Sequence, residues 1–264
     1  MYRKFVMKLK FDKYQGTGND FVIIDNRNAH FDMNNIGLIR HICDRKYGIG
    51  SDGLILIENH DKWDFNMVFF NPDGSQSFCG NGSRCAVAFA KEIGLIFDFA
   101  KFNSTDGYHE ASINSNGLVK LKMQNVSNIE VSESHHFMDT GSPHYNFFRK
   151  NIDGIDVVAK GREIRYNKRF KEVGTNVNFI EQLSEGIKVR TYERGVEDET
   201  LSCGTGVTAC ALSTALISEA PSGEINVNTK GGDLSVSFTQ TKNGFEDVLL
   251  IGPTKFVFKG ELEV

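Results

Sequence analysis

The chain has 264 residues, 40% hydrophobic and 24% charged, with a formal net charge of −4. That length fits one large domain or two small ones, and the composition is that of an ordinary soluble globular protein. No basic stripe supports nucleic-acid binding, and no apolar run is long enough to span a membrane.

The segment Met1 to Met7 is basic but has no apolar core of signal-peptide length, and Met7 offers an alternative start, with residues 1–6 as an extension. The five cysteines are an odd number without CxxC spacing. Free thiols in a reducing cytoplasm are therefore expected, not a disulfide framework or a metal site. With 21 Phe, 26 Gly and only 4 Pro, short alternating runs predict strands joined by tight turns around a few helices.

Leu9 to Tyr14 alternates as a strand, Gly16-Thr17-Gly18-Asn19-Asp20 is a turn, and Phe21 to Asp25 is a buried strand. Ile36, Ile39, Ile42 and Cys43 fall at helical spacing behind Asn34 or Asn35 as cap. The turn 48–53 precedes a strand over 54–57, and the strand 65–70 ends at Asn71-Pro72-Asp73-Gly74. A helix should then reach about Ile93, with Gly94 closing it. Residues 99–124 read as a meander, and the chain changes half near Gln124. In the second half, 140–145 is a turn into a strand, the basic stretch 160–170 is partly helical, and 176–180 and 187–192 are strands. A second helix follows, then two strands near 224–239 and 245–251; Gly252-Pro253 breaks the pattern before a last strand from Thr254.

Both helices open on a thiol. Cys79-Gly80-Asn81-Gly82 leads into Ala86, Val87, Phe89 and Ala90, and Cys203-Gly204-Thr205-Gly206 leads into another Ala-rich run. Unbonded N–H groups and the positive dipole end favour a thiolate and bind carboxylates at such a position. Cys85 and Cys210 lie further into each helix, where burial is expected, and Cys43 fits helix packing. One Cys-Gly turn alone is better read as structural; the repetition points to two similar halves with one cysteine from each facing a shared cleft.

These segments resemble the diaminopimelate epimerase family. The matching stretches are Gly16-Thr17-Gly18-Asn19-Asp20-Phe21, Gly48-Ile49-Gly50-Ser51-Asp52-Gly53, Asn71-Pro72-Asp73-Gly74-Ser75, the two Cys-Gly segments, Thr175-Asn176-Val177-Asn178-Phe179 and Tyr192-Glu193-Arg194-Gly195. The resemblance implies an α+β fold of two pseudo-symmetric domains, each a curved, mainly antiparallel sheet around a central helix, with the active site in the cleft between them. The halves are placed at 1–124, with 254–264 returning to it, and 125–253. It implies epimerisation of LL- to meso-2,6-diaminopimelate in lysine and peptidoglycan precursor synthesis.

Inverting an α-carbon takes a base on one face and an acid on the other, and a thiolate–thiol pair can exchange those roles. Cys79 and Cys203, which open the helices, are the expected pair. No lysine sits in a recognisable pyridoxal context, so no cofactor is expected. The charge then falls on the substrate carboxylate, held by N–H groups of Gly80, Asn81, Gly204 and Thr205. By the resemblance, Asn19, Asn71, Asn176, Glu193 and Arg194 bind substrate, with Arg194 on the distal carboxylate. His144 matches a family position near the pair, and Ser142 stands where the family usually has Asn. Gly53 stands where some members have Gln. Each asparagine also has a plain turn-forming explanation. His135-His136 and the run Lys168, Arg169, Lys171 read as surface. The partner is a small amino-acid substrate, and a homodimer is an expectation that the resemblance alone carries. The alternatives are a racemase of another amino acid, of histidine or proline type, and a thiol redox or binding protein.

Overall fold

The computed structural model describes residues 8–263. The alternative start at Met7 with the extension 1–6, and Val264 at the end of the last expected strand, lie outside the described residues. In chain order the elements are β1 (Lys8–Gly16), β2 (Asn19–Asp25), α1 (Ile36–Cys43), β3 (Gly53–Glu58), β4 (Phe65–Phe70), α2 (Gly80–Glu92), β5 (Phe99–Ser104), β6 (Gly107–Ile113) and β7 (Leu118–Lys122). Then come β8 (Glu130–Val131), β9 (His136–Asp139), β10 (Pro143–Phe148), a 3-10 turn (Ile152–Gly154), α3 (Val157–Arg165), β11 (Asn176–Gln182), β12 (Ile187–Glu193) and β13 (Asp198–Thr200). The last elements are α4 (Gly204–Ser218), β14 (Ser222–Thr229), β15 (Gly232–Thr241), β16 (Gly244–Pro253) and β17 (Lys255–Glu263).

The chain divides into two compact units. One runs up to Val119 and takes back the segment from Thr254; the other is Lys120–Pro253. In the first, β1 pairs antiparallel with β17 and β2, β2 parallel with β3, β3 antiparallel with β4, β4 parallel with β5, and β5 antiparallel with β6. In the second, β9–β10 is antiparallel, β10–β11 parallel, β11–β12 antiparallel, β12–β14 parallel and β14–β15 antiparallel. The two orders are the same. A parallel pair cannot be closed by a tight turn and needs a crossover. The first crossover of each unit carries a helix (α1, α3), and the second carries the helix behind Cys-Gly (α2, α4).

Local chemistry sets the helix ends. Asn35 caps α1 by accepting from Leu38 N–H, and Asp156 caps α3 by accepting from Ala159 N–H. α2 ends in a Schellman motif: Gly94, at φ 70°, donates to Lys91 O, and Leu95 donates to Ala90 O. Side chains of α2 are buried from Gly80 to Val87 and those of α4 from Gly206 to Ala215. Helices buried on all sides need apolar or small residues around the whole circumference, and both are Ala-rich. α2 packs against β1, β2, β3, β4 and β6, and α4 against β9, β10, β11, β12, β14, β15 and β16.

Two expectations need correction. The span 224–239 is not one strand but the hairpin β14–β15, which closes at the pair Thr229↔Gly232. Lys230-Gly231 forms a two-residue loop, and Gly232 sits at φ 136°, where a side chain would be strained. His136 is not on the surface: it lies in β9, is 5% exposed and meets Phe148 edge-on.

Candidate functional site

Cys79 and Cys203 sit at equivalent helix starts. Each is the N-cap of its helix in extended backbone (φ −137°, ψ 110° and φ −122°, ψ 113°), and each carbonyl accepts the first helical bond, from Ser83 and Val207 N–H at 2.8 Å. The second glycine of each motif makes the room. A Cβ at Gly82 would lie 3.3 Å from Ile55 Cδ1 and 3.4 Å from Cys79 Cβ. At Gly206 it would lie 2.9 Å from Asn178 Oδ1 and 3.3 Å from His144 Cε1 and Cys203 Cβ.

In the first unit, Gly82 N–H donates to Cys79 Sγ at 3.4 Å. The Cys79 thiol lies 3.8 Å from Asn19 Oδ1, which also accepts from Asn81 Nδ2 at 3.2 Å. Asn19 is oriented by donating to Asp52 Oδ2 at 2.7 Å. Asn19, Cys79 and Asn81 therefore meet, with the Gly80 N–H beside them at the helix start. Asn71 is engaged locally. Its amide nitrogen donates to Ser75 Oγ and Ser77 Oγ at 3.0 and 3.2 Å and shapes the loop that delivers Cys79. Sequence reasoning did not single out Asp52 or the fully buried Arg84. The available signal for Arg84 was a cation next to the small and apolar run Cys85–Ala90 of the helix.

In the second unit a polar chain leads to Cys203. Asn178 Nδ2 donates to His144 Nδ1 at 3.0 Å, so the imidazole proton is on Nε2, which donates to Thr205 Oγ1 at 2.9 Å. Thr205 Oγ1 lies 3.5 Å from Cys203 Sγ. Thr191 donates to Asn178 Oδ1 at 2.7 Å and fixes that amide. Asn146 continues the chain to Ser213. Burial, with help from the Arg194 charge, pulls the His144 pKa down from 6.5 to about 3, so the ring is neutral. His144, which the sequence pointed to only through the family resemblance, holds Thr205 in place. Asn178 and Thr191 were missed, although Asn176 and Asn178 share one face of a strand.

A second cluster lies at the strand ends. Asn176 Nδ2 donates to Ser142 Oγ (2.8 Å) and Pro143 O (3.0 Å), and its Oδ1 accepts from Arg194 N–H (2.9 Å). The Arg194 guanidinium donates to Ser142 Oγ at 3.3 Å and Val173 O at 3.2 Å. Asn176 thus braces Ser142 and Arg194. Glu193 ends β12 beside them. Gly174, at φ 82°, leaves the space, since its Cβ would fall 2.6 Å from Arg194 Cδ.

The remaining thiols are chemically quiet. Burial pushes Cys85 up to about 12, with Cys79 adding to the rise and Arg84 opposing it. Burial also raises Cys210 well above the ordinary value. Cys43 is buried in α1 and raised for the same reason. A buried neutral thiol is a poor nucleophile and base.

Two units of one strand order, each wrapped around a buried helix, define a class of fold shared with solved structures. A PhzF-family phenazine biosynthesis protein of Bacillus anthracis aligns with a TM-score of 0.74 at 15% identity, covering 98% of this chain and 100% of that one. A hydroxyproline epimerase from Agrobacterium vitis, with bound trans-4-OH-L-proline, aligns with a TM-score of 0.68 at 14% identity over 97% and 93%. Sequence comparison is more specific. Residues 11–129 and 136–257 match the family described as diaminopimelate epimerase. A diaminopimelate epimerase of Flavobacterium psychrophilum is 48% identical over 253 residues, 95% of this chain and 99% of the relative. One from Aquifex aeolicus is 40% identical over 278 residues, 96% and 98%. The chain belongs to the diaminopimelate epimerase family.

Proposed function

We propose that the chain interconverts LL- and meso-2,6-diaminopimelate, an isomerisation in lysine and peptidoglycan precursor synthesis, with Cys79 and Cys203 as the proton-transfer pair. The observation that carries this is the repeated helix start: two thiols on matching caps in two units of matching strand order, in a chain of this family. One thiolate takes the α-proton from one face while the other thiol gives its proton to the opposite face. The two then hold reversed protonation, so total charge is conserved and the reverse reaction uses the same groups.

The α-proton is weakly acidic, and the negative charge released moves into the substrate carboxylate. The first N–H groups of a helix have no acceptor within it. Those of Gly80, Asn81, Gly204 and Thr205 are the proposed donors to that carboxylate. Losing one such preorganised donor typically costs about 3 kcal/mol of barrier. With the charge held there, the chemistry needs no cofactor. Arg194 grips the distal carboxylate with the N–H groups that Ser142 and Val173 do not use. Glu193 faces the distal ammonium. Asn19 orients the Cys79 thiol, while Asn71 and Asn176 act by positioning the loop of Cys79 and the Ser142–Arg194 pair. His144 acts through Thr205. The proposed setting is the cytoplasm, with a homodimer as the proposed assembly and neither nucleic acid nor membrane as partner. Among the described residues no helix is long and apolar enough to cross a membrane.

The test is turnover of LL-diaminopimelate by the reduced protein against a panel of proline, hydroxyproline, histidine and glutamate. Conversion to the meso isomer, with the panel inert, is expected. Activity on a panel member with none on LL-diaminopimelate would overturn the substrate.

A further inference from the structure

The loop before β3 lies against the β1–β2 turn, and the contact is built around one carboxylate. Asp52 N–H donates to Asp20 O at 2.9 Å, one step ahead of the parallel pair Phe21↔Gly53. Asp52 is thereby brought to Asn19, 33 residues away in the chain. Its Oδ2 accepts from Asn19 Nδ2 at 2.7 Å and from Asp20 N–H at 3.2 Å, and its Oδ1 accepts from Arg45 Nη2 at 2.7 Å. Both oxygens therefore face donors.

The neighbouring carboxylate has a different task. Asp20 holds the cations, accepting from Lys13 Nζ at 2.6 Å and from Arg45 Nη2 and Nη1 at 2.6 and 3.2 Å. Arg45 reaches Asp52 at Oδ1, which leaves Oδ2 to the two amide donors. An ionised carboxylate has no proton to give. The Asn19 amide is therefore oriented with its nitrogen toward Asp52 and its carbonyl toward the start of α2. There Oδ1 meets Asn81 Nδ2 at 3.2 Å and the Cys79 thiol at 3.8 Å.

That orientation decides what Asn19 offers the sulfur. A carbonyl oxygen accepts from S–H and repels a thiolate, whereas the amide nitrogen would donate to a thiolate. The helix start pulls the other way: Gly82 N–H donates to Cys79 Sγ at 3.4 Å, and the dipole end favours the anion. A thiol that acts as acid in one direction of an inversion and as base in the other needs both protonation states within reach.

We propose that Asp52 is a positioning residue: by fixing the Asn19 amide it turns an acceptor onto the Cys79 thiol, and that acceptor offsets the helix start's preference for the thiolate. This rests on the two-thiol reading above. Without the carboxylate the amide can turn over and present its nitrogen, and Cys79 then gives up its proton more readily. The charge of Asp52 is a lesser effect in the same direction, because its side chain is 43% exposed and already faces Arg45. Other titratable groups of this unit stay in place in the variants below. They are Arg84 and Cys85 on α2, Lys13, Asp20 and Arg45 on the Asp52 side, and His109, which stacks on Phe78 at 4.5 Å and is held by Asp106.

The test needs no substrate. The reduced protein is alkylated with iodoacetamide across pH 5–10, and the rate at Cys79 is read by peptide mass spectrometry. Asp52→Leu keeps bulk but offers no acceptor. It should lower the Cys79 midpoint by about 0.5–1 pH unit, the size of one neutral hydrogen bond, and so raise the rate below the midpoint about three- to tenfold. Loosening of the loop alone would change the rate at every pH and leave the midpoint where it is. Asn19→Ala should lower the midpoint by a similar amount. Adding Asp52→Leu to Asn19→Ala should then move it little further, because Asp52 acts through that amide. If Asp52→Leu does not fold by near-UV circular dichroism, Asp52→Ala takes its place in both backgrounds. An equal shift with and without Asn19 would reveal a bare charge effect and overturn the proposal, as would an unmoved or raised midpoint in a folded Asp52 variant. Inactivity on diaminopimelate with these shifts intact would sink the substrate and leave the Asp52 brace standing.

Discussion

His144 shows how much of a site is decided by partners remote in sequence. Its ring is held between Asn178 and Thr205, brought in by β11 and the start of α4. From the sequence it is a histidine after a proline, where an idle residue is the better guess. The environment makes it a neutral donor and holds its pKa near 3, against 6.5 when unfolded. The unfolded chain therefore binds a proton between those values that the folded chain refuses. This contribution to stability is complete above about pH 6.5 and is lost as the pH falls toward 3. Urea midpoints at pH 7, 5 and 4 should fall more steeply for wild type than for His144→Gln, and parallel curves would contradict that placement. The position of Cys79 and Cys203 at helix starts was legible because a thiol before a small-residue helical run carries its own physical signature. Asp52 and Asn178 were not, because what they do comes from partners remote in sequence, Asn19 for one and His144 for the other.

At the scale of elements, the Cys-Gly-x-Gly start is a packing solution as well as a chemical one. The second glycine lets the cysteine Cβ and the neighbouring strands approach the first turn. The space is tighter in α4 than in α2: the nearest atom to an added Cβ is 2.9 Å away at Gly206 and 3.3 Å at Gly82. Asn178, which fixes His144, is what the new methyl would strike. Gly206→Ala should therefore lose about 1–3 kcal/mol of stability by urea denaturation, with a larger fall in kcat than Gly82→Ala gives. Equal effects at the two glycines would argue against the His144–Thr205 brace. Helices were readable from caps and small-residue runs, as at Asn35, Gly94 and the two cysteines. The β14–β15 hairpin was not, since its loop is only Lys230-Gly231 and the flanking strands alternate without interruption.

For the whole molecule, the shared strand order is the strongest support for a pseudo-symmetric enzyme. The repeated cysteine motif suggested it, while the parallel pairs β2–β3 and β10–β11, with their helical crossovers, could not be read from local alternation. The two units supply two chemically similar helix starts, which the proposed two-base inversion uses. The measurement that bears on this most directly is α-proton exchange in D₂O, followed by NMR on the reduced protein with LL-diaminopimelate. Wild type should incorporate α-deuterium as the meso isomer forms, and both Cys79→Ala and Cys203→Ala should lose inversion. Inversion retained by either folded variant would contradict a mechanism that needs one thiol from each unit.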